Sequence, residues 1–173
     1  MTIERTKNYE LSILDTLQAL RTKTLDKLMV HITKLGDGGG IWIVLDICLL
    51  LSKQTRKEGM LLTISLILEA MICNLMLKPL IARKRPCDLN PTVSLLIPRP
   101  KDYSFPSGHT AASFVAVTIL YLSRNIVWQP ALLIACLIAL SRMYLYVHYP
   151  SDVIVGMLIG IIVAHLVFLR LGL

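Results

Sequence analysis

Residues 103–173 carry only four fixed charges, Arg124, Arg142, Asp152 and Arg170, in 71 positions. Soluble domains draw about a quarter of their residues from the charged types, so a stretch this bare cannot clothe a water-facing surface. The whole chain leans the same way. Of its 173 residues 55% are hydrophobic and 17% charged, and the mean hydropathy is +0.66. The net charge is nevertheless +7. These values exclude a disordered or collagen-like chain and a charged nucleic-acid-binding domain, so no nucleic-acid partner is expected. They describe a chain made for a membrane bilayer, with basic surface left over.

Crossing about 30 Å of hydrocarbon takes around 20 helical residues. Asp152–Leu169 reads as one span, with Ser151 as its N-cap and Arg170 at its end. Ile126–Val147 is a second, and Ser107–Ser123, capped by Ser107 and closed by Arg124, a third. Gly59–Lys78, with Glu69 and Asn74 inside it, is a fourth, and Gly39–Ser52, interrupted by Asp46, a fifth. The fifth reaches only about 21 Å and needs support from neighbours or a thin membrane. Upstream, Leu11, Leu14, Leu17 and Leu20 recur every three residues, and Leu25, Leu28, Met29, Ile32 and Leu35 follow a helical period. Asp15, Arg21, Lys23, Asp26, Lys27 and Lys34 lie between them, which predicts one or two amphipathic helices on the membrane surface. A packed soluble helix pair is the alternative. Gly36-Asp37-Gly38-Gly39-Gly40 then breaks the helix.

The expected fold is therefore all-α: a polytopic membrane helix bundle with about five transmembrane helices plus N-terminal amphipathic interfacial helices. Residues 1–38 form the interfacial segment and 39–173 the membrane-embedded domain. The N-terminus lacks the apolar core of a cleavable signal peptide. Cys48, Cys73, Cys87 and Cys136 follow no metal or disulfide spacing.

With five spans, the proline-rich connection 79–106 and the short turn 147–151 fall on one membrane face. Three clusters of polar residues gather there: Lys78 through Arg85-Pro86, Pro106-Ser107-Gly108-His109, and Ser141-Arg142 followed by His148 and Asp152. Lys78, Arg85 and Arg142 supply two forked guanidiniums and a point charge, a combination suited to phosphate oxygens. Ser107 caps a helix whose first amides face an anion, and Gly108 lets that anion approach. Asp152, four residues after His148, can take one ring proton and leave the other nitrogen as a nucleophile. Singly, each has a plainer reading: a cation ending a membrane helix is commonly an interfacial anchor, and Ser-Gly at a helix start is ordinary capping. His31 and His165 lack companions, and His165 reads as structural or interfacial. Asp46 and Glu69, on adjacent spans, are expected to form a structural pair. Asn74, one turn before Lys78, could hold its ammonium. Asp88, Asp102 and Tyr103 read as turn and interface residues, and Tyr144, Tyr146 and Tyr149 as an aromatic belt.

Together the clusters are far more specific. Lys, six residues, Arg-Pro; Pro-Ser-Gly-His; and Ser-Arg, five residues, His, three residues, Asp occur here in order and with full spacing between residues 78 and 152. The pattern resembles the signature of the membrane-bound type 2 phosphatidic acid phosphatase family, which shares its core with vanadium haloperoxidases. The resemblance implies that His148 attacks phosphorus to form a phosphohistidine, oriented by Asp152. His109 would protonate the leaving lipid oxygen and then activate water. Lys78, Arg85, Ser107, Gly108 and Arg142 would hold the phosphate oxygens. It implies a phosphorylated lipid as partner, no cofactor and no metal. A bacterial relative acting on undecaprenyl diphosphate fits best, with phosphatidylglycerophosphate, phosphatidate or diacylglycerol diphosphate as alternatives, or phosphotransfer to another acceptor. Bacterial members usually turn the active site outward from the plasma membrane. Family members often carry six spans, and here the amphipathic segment stands where the first would be. Arg99 and Lys101 could touch a second phosphate. Residues 78–102 hold six cations and two acids, more than half of the net +7, in the segment that opens the signature.

Overall fold

The computed structural model describes residues 2–172, and among these the chain is helical with no strand. Seven helices make the bundle. Helices α1 (Thr2–Ala19) and α2 (Lys23–Leu35) form the N-terminal pair, and a 3₁₀ turn at Asp37–Gly39 leads into α3 (Gly40–Leu51). Helix α4 runs from Arg56 to Ala70, continues through a wide π turn at Met71–Leu77 and ends with Lys78–Ile81. After an irregular stretch with one helical turn at Pro86–Leu89 come α5 (Gly108–Leu122), α6 (Trp128–Tyr144) and α7 (Pro150–Leu171). All five apolar runs thus fold as helices within a few residues of their expected limits. One start differs: α7 begins at Pro150, not after a Ser151 cap. Asp152 folds back to accept the Tyr149 amide, and proline, lacking an N–H, fits the first turn.

Helix α5 is the axis of the bundle. Every residue from Thr110 to Leu120 is buried, enclosed chiefly by α7 and α6 and also by α4. Such enclosure demands small residues. A Cβ on Gly156 of α7 would stand 2.5 Å from the Ser107 carbonyl oxygen, and one on Gly160 would collide with that of Ala111. This Gly-x-x-x-Gly face lets α7 lie directly on the α5 backbone, the contact small residues provide between membrane helices. The first turns of α5 and α7, which carry the second motif and the last residue of the third, meet as a result; the Ser107 amide donates to the Asp152 carbonyl at 3.1 Å.

The outside of the bundle is greasy. Ile43, Val44, Ile47 and Leu51 on α3, Ile64, Ile67, Leu68 and Met71 on α4, and Ile154, Leu158, Ile162, Leu166 and Leu169 on α7 are all exposed. Helix α4 with its continuation and α7 are long and apolar enough to cross a membrane; α5 and α6 are apolar but shorter. The N-terminal pair keeps its amphipathic character and turns its buried side to α6: Met29, Ile32 and Thr33 of α2 pack there, and Leu14 of α1 joins a second small core with Cys87, Tyr146 and Tyr149.

Candidate active site

At the end of the bundle where α4 stops and α5 and α7 begin, a cavity of about 840 Å³ opens. Lys78, Arg85, Gly108, His109, Arg142 and His148 all line it, brought together from three separate stretches of sequence. Ser107 and Asp152 stand behind that wall, both fully buried. Ser107 starts α5, but its hydroxyl meets that of Thr110 at 3.0 Å and caps no backbone amide.

His148 is buried, with its two nitrogens in different surroundings. Arg85 Nη1 lies 3.2 Å from Nε2, and a guanidinium only donates, so Nε2 carries the lone pair. The proton then sits on Nδ1, 3.5 Å from Asp152 Oδ2. Burial first, then the facing charges of Arg85, Arg142 and Lys78, hold this imidazole well below the usual histidine range, so it is neutral. The turn that carries it is strained. Tyr146 has φ +61, an unusual conformation for an aromatic residue, held by complete burial of the ring and a 2.7 Å hydrogen bond from its hydroxyl to Asp15.

The cations are fixed by neutral and acidic partners that leave capacity for an anion. Arg85 donates to the carbonyls of Val147 and Asp102 and to the Asp102 carboxylate. Lys78 also pairs with Asp102. Asp102, expected to be a turn residue, is thus the counter-charge shared by two cations of the cavity wall. Burial opposes its ionisation, but the Lys78 and Arg85 charges prevail and hold its carboxyl well below the usual range. Arg142 donates Nη1 to Thr33 of α2 at 2.6 Å, and its buried Nε has no partner among the described residues. An unpaired guanidinium N–H on a cavity wall is a costly feature unless an anion completes it.

Sequence reasoning missed Arg83. Its guanidinium donates to Asp152 Oδ1 and to Glu10 Oε2, each at 2.6 Å, and lies 3.8 Å over the Tyr149 ring. It therefore steadies the carboxylate behind His148. Nothing in the run Arg83-Lys84-Arg85 distinguishes it, and its partner Glu10 is 73 residues away. The three tyrosines form no belt. Tyr144, Tyr146 and Tyr149 are all buried; Tyr144 and Tyr146 donate to Asp26 and Asp15 of the N-terminal helices, and Tyr149 stacks under Arg83. Asp46 and Glu69 do not pair with each other either. Asp46 accepts from Thr63 at 2.6 Å, and one buried oxygen of each carboxylate lacks a partner among the described residues. Both line the cavity, as does Asn74. Asn74 and the Lys78 ammonium both lie against Gly108, with no hydrogen bond between them among the described residues; the Lys78 ammonium pairs with Asp102. Arg99 reaches the cavity while pairing with Asp88 at 3.0 Å; Lys101 does not line it, and Lys34 does. His31 and His165 are exposed and bond backbone carbonyls one turn back.

Two histidines, three cations and a carboxylate behind one histidine, at the end of an apolar helical bundle, are the parts of a phosphoryl-transfer enzyme. The chain belongs to the PAP2 superfamily, whose family match takes in residues 58–172. It is 42% identical over 139 residues to an undecaprenyl-diphosphatase of Sulfolobus acidocaldarius, covering 79% of this chain and 66% of that one. It is 32% identical over 145 residues to undecaprenyl-diphosphatase BcrC of Bacillus subtilis, covering 83% and 74%. The chain thus spans about two thirds to three quarters of the length of these relatives. Its fold is similar to that of LpxE from Aquifex aeolicus, with a TM-score of 0.80, 32% identity and coverage of 91% and 93%. It is also similar to a transmembrane PAP2-type phosphatidylglycerolphosphate phosphatase from Bacillus subtilis, with a TM-score of 0.76, 26% identity and coverage of 94% and 84%.

Proposed function

We propose that this protein is an integral-membrane lipid phosphatase that converts undecaprenyl diphosphate to undecaprenyl phosphate through a phosphohistidine. The observation that carries the reading is His148: buried, neutral, with Nε2 turned to the cation-lined cavity and Nδ1 toward Asp152. In the proposed reaction His148 Nε2 attacks the terminal phosphorus in line. Lys78, Arg85, Arg142 and the Gly108 amide hold the equatorial oxygens, with Ser107 behind them. His109 protonates the leaving oxygen, and in the second step it activates the water that releases phosphate. Asp152 holds the Nδ1 proton and stabilises the charge that builds on the ring. No resident metal enters this scheme.

Five spans, α3 to α7, carry the site, with residues 1–38 lying at the interface and the cavity facing outward from a bacterial plasma membrane. The exposed apolar faces of α3, α4 and α7 support the embedding, and the two undecaprenyl-diphosphatase relatives support the choice of lipid.

The test is phosphate release by purified wild type and His148→Ala on undecaprenyl diphosphate, phosphatidylglycerophosphate, phosphatidate and diacylglycerol diphosphate. Undecaprenyl diphosphate should be turned over fastest, with EDTA present, and His148→Ala should lose about a thousandfold or more. Faster turnover of another lipid in the panel would replace the substrate. A wild-type loss in EDTA that Mg²⁺ restores would overturn the mechanism. Because Cys87 is buried, sidedness is best read from a cysteine placed at exposed Lys101.

A further inference from the structure

The segment Gly36-Asp37-Gly38-Gly39-Gly40 belongs to none of the three motifs, and as sequence it is only a helix break. In the folded protein two of its residues are shaped around one side chain. A Cβ on Gly36 would stand 2.9 Å from His109 Cδ2, so the imidazole packs against the Gly36 backbone and any larger residue there would push the ring aside. Asp37 Oδ1 then lies 2.9 Å from His109 Nε2. Gly38 and Gly39 have φ +58 and +75, which turns the chain sharply into α3 and leaves Asp37 at the cavity. The other side of the His109 turn is also tied down: its carbonyl accepts from Ser113 Oγ, which in turn accepts from Trp42 Nε1. Breaking a helix requires neither an acid at position 37 nor a bare backbone at 36.

We propose that Asp37 is the positioning residue for His109, holding Nε2–H so that Nδ1 is the nitrogen that exchanges protons with the substrate. This rests on the phosphatase reading above. In the first half-reaction the bond from His148 Nε2 to phosphorus forms as the bond from phosphorus to the lipid oxygen breaks. The Nδ1 proton passes to that oxygen, leaving neutral His109 with its remaining proton on Nε2, hydrogen-bonded to Asp37. In the second, a water oxygen bonds phosphorus as the phosphorus–nitrogen bond breaks, and Nδ1 takes the water proton. The imidazolium is restored and Nε2 never gives up its hydrogen.

The two histidines thereby receive different carboxylates. Asp152, behind His148, shares its charge with Arg83 at 2.6 Å. The charged and titratable groups facing His109 are Lys78 from the end of α4, Arg142 from α6, His148 from the following turn and Asp37. Burial and the Arg142 and Lys78 charges work against the imidazolium that a general acid must be; Asp37, the carboxylate in contact with the ring, opposes them.

The experiment compares full-length wild type, Asp37→Asn, Asp37→Glu, Asp37→Ala and His109→Ala in detergent micelles on two substrates. One is phosphatidate, whose diacylglycerol oxygen would leave as an alkoxide unless protonated; the other is p-nitrophenyl phosphate, whose leaving group departs without protonation. Asp37→Asn should lower kcat on the lipid at least about tenfold more than on the aryl ester. The basic limb of the lipid kcat profile should move to lower pH, because the imidazolium has lost its counter-charge. Asp37→Glu should recover part of the loss, and Asp37→Asn combined with His109→Ala should be no worse than His109→Ala. Parallel losses on both substrates, no loss, or additivity with His109→Ala would overturn the proposal, since a merely structural ion pair predicts them. A second readout needs no turnover: ¹⁵N NMR of the His109 ring should show the neutral form protonated at Nε2. In Asp37→Ala that preference should disappear and the midpoint should fall; an unchanged ring would refute the role. A wild type inactive on every lipid fails the phosphatase reading separately, and the NMR result still decides Asp37.

Discussion

Asp102 shows how the cation cluster balances itself. Three cations gathered round one cavity would repel one another, and the carboxylate between Lys78 and Arg85 relieves that strain. A phosphate arriving at the cavity must compete with it. Arg85 does not depend on Asp102 alone, since it also donates to the carbonyls of Val147, Asp102 and Tyr103. Asp102→Ala should therefore leave Arg85 in place, free Lys78, and tighten inhibition by vanadate. The Asp102 carboxylate is half-exposed, so water screens its charge. A tightening of about tenfold is what one such screened charge near an anion is worth. Measured inhibition constants that are unchanged or weaker would show that Asp102 organises the site and does not compete for it. No sequence pattern distinguished this aspartate from the other acids of its loop. The motif residues were legible because phosphate chemistry demands particular side chains at particular spacings. Asp102, Arg83 and Asp37 act on those side chains from elsewhere in the chain, and such contacts exist only once the helices are assembled.

At the level of elements, apolar runs and their polar punctuation located α3 to α7, because a membrane-length helix needs a long stretch free of charge. What those runs could not convey is which face each helix turns inward. In a water-soluble bundle the apolar side points in. Here α7 places small residues inward and Ile154, Leu158, Ile162 and Leu166 outward, so amphipathic reasoning has no purchase. The amphipathic N-terminal helices were recognised, but not that their acids, Glu10, Asp15 and Asp26, point at Arg83, Tyr146 and Tyr144. The π turn of α4 was equally invisible, since its composition is that of any apolar helix. The Gly156 and Gly160 contacts yield a direct prediction. Gly156→Leu drives side-chain atoms into the backbone at Ser107, immediately before the Gly108-His109 pair, and α5 and α7 must separate. Overpacking of this kind costs about 1–3 kcal/mol, and here it should also displace His109 from His148. Thermal unfolding in detergent should fall by several degrees and phosphatase activity should collapse, whereas Ile154→Ala on the outer face should change neither. Equal effects of the two substitutions would mean that the outer face, too, is a packing surface within the protein.

For the molecule as a whole, the decisive property is that its greasy exterior and its polar end are separate. Charge concentrates where the loops gather round the cavity, while the flanks of α3, α4 and α7 present aliphatic side chains. A soluble protein with such flanks would aggregate, and a bilayer would solvate them. The native cysteines report on this arrangement without engineering. Cys73 and Cys87 are buried in the protein, but Cys48 on α3 and Cys136 on α6 are exposed on helix flanks. In water, an exposed thiol reacts readily with a charged maleimide, because the reagent reaches the thiolate. Inside hydrocarbon the thiolate is disfavoured and the charged reagent does not enter. In proteoliposomes, Cys48 and Cys136 should therefore resist a charged maleimide added to both sides, and all four cysteines should react after unfolding in SDS. Cysteine placed at Lys101, in the polar loop, should label at once in the same vesicles and serve as the positive control. Prompt labelling of Cys136 in intact proteoliposomes would remove α6 from the membrane and overturn the proposed five-span bundle. Labelling of Cys48 alone would instead confine the correction to the short α3, whose twelve residues make it the span most dependent on its neighbours.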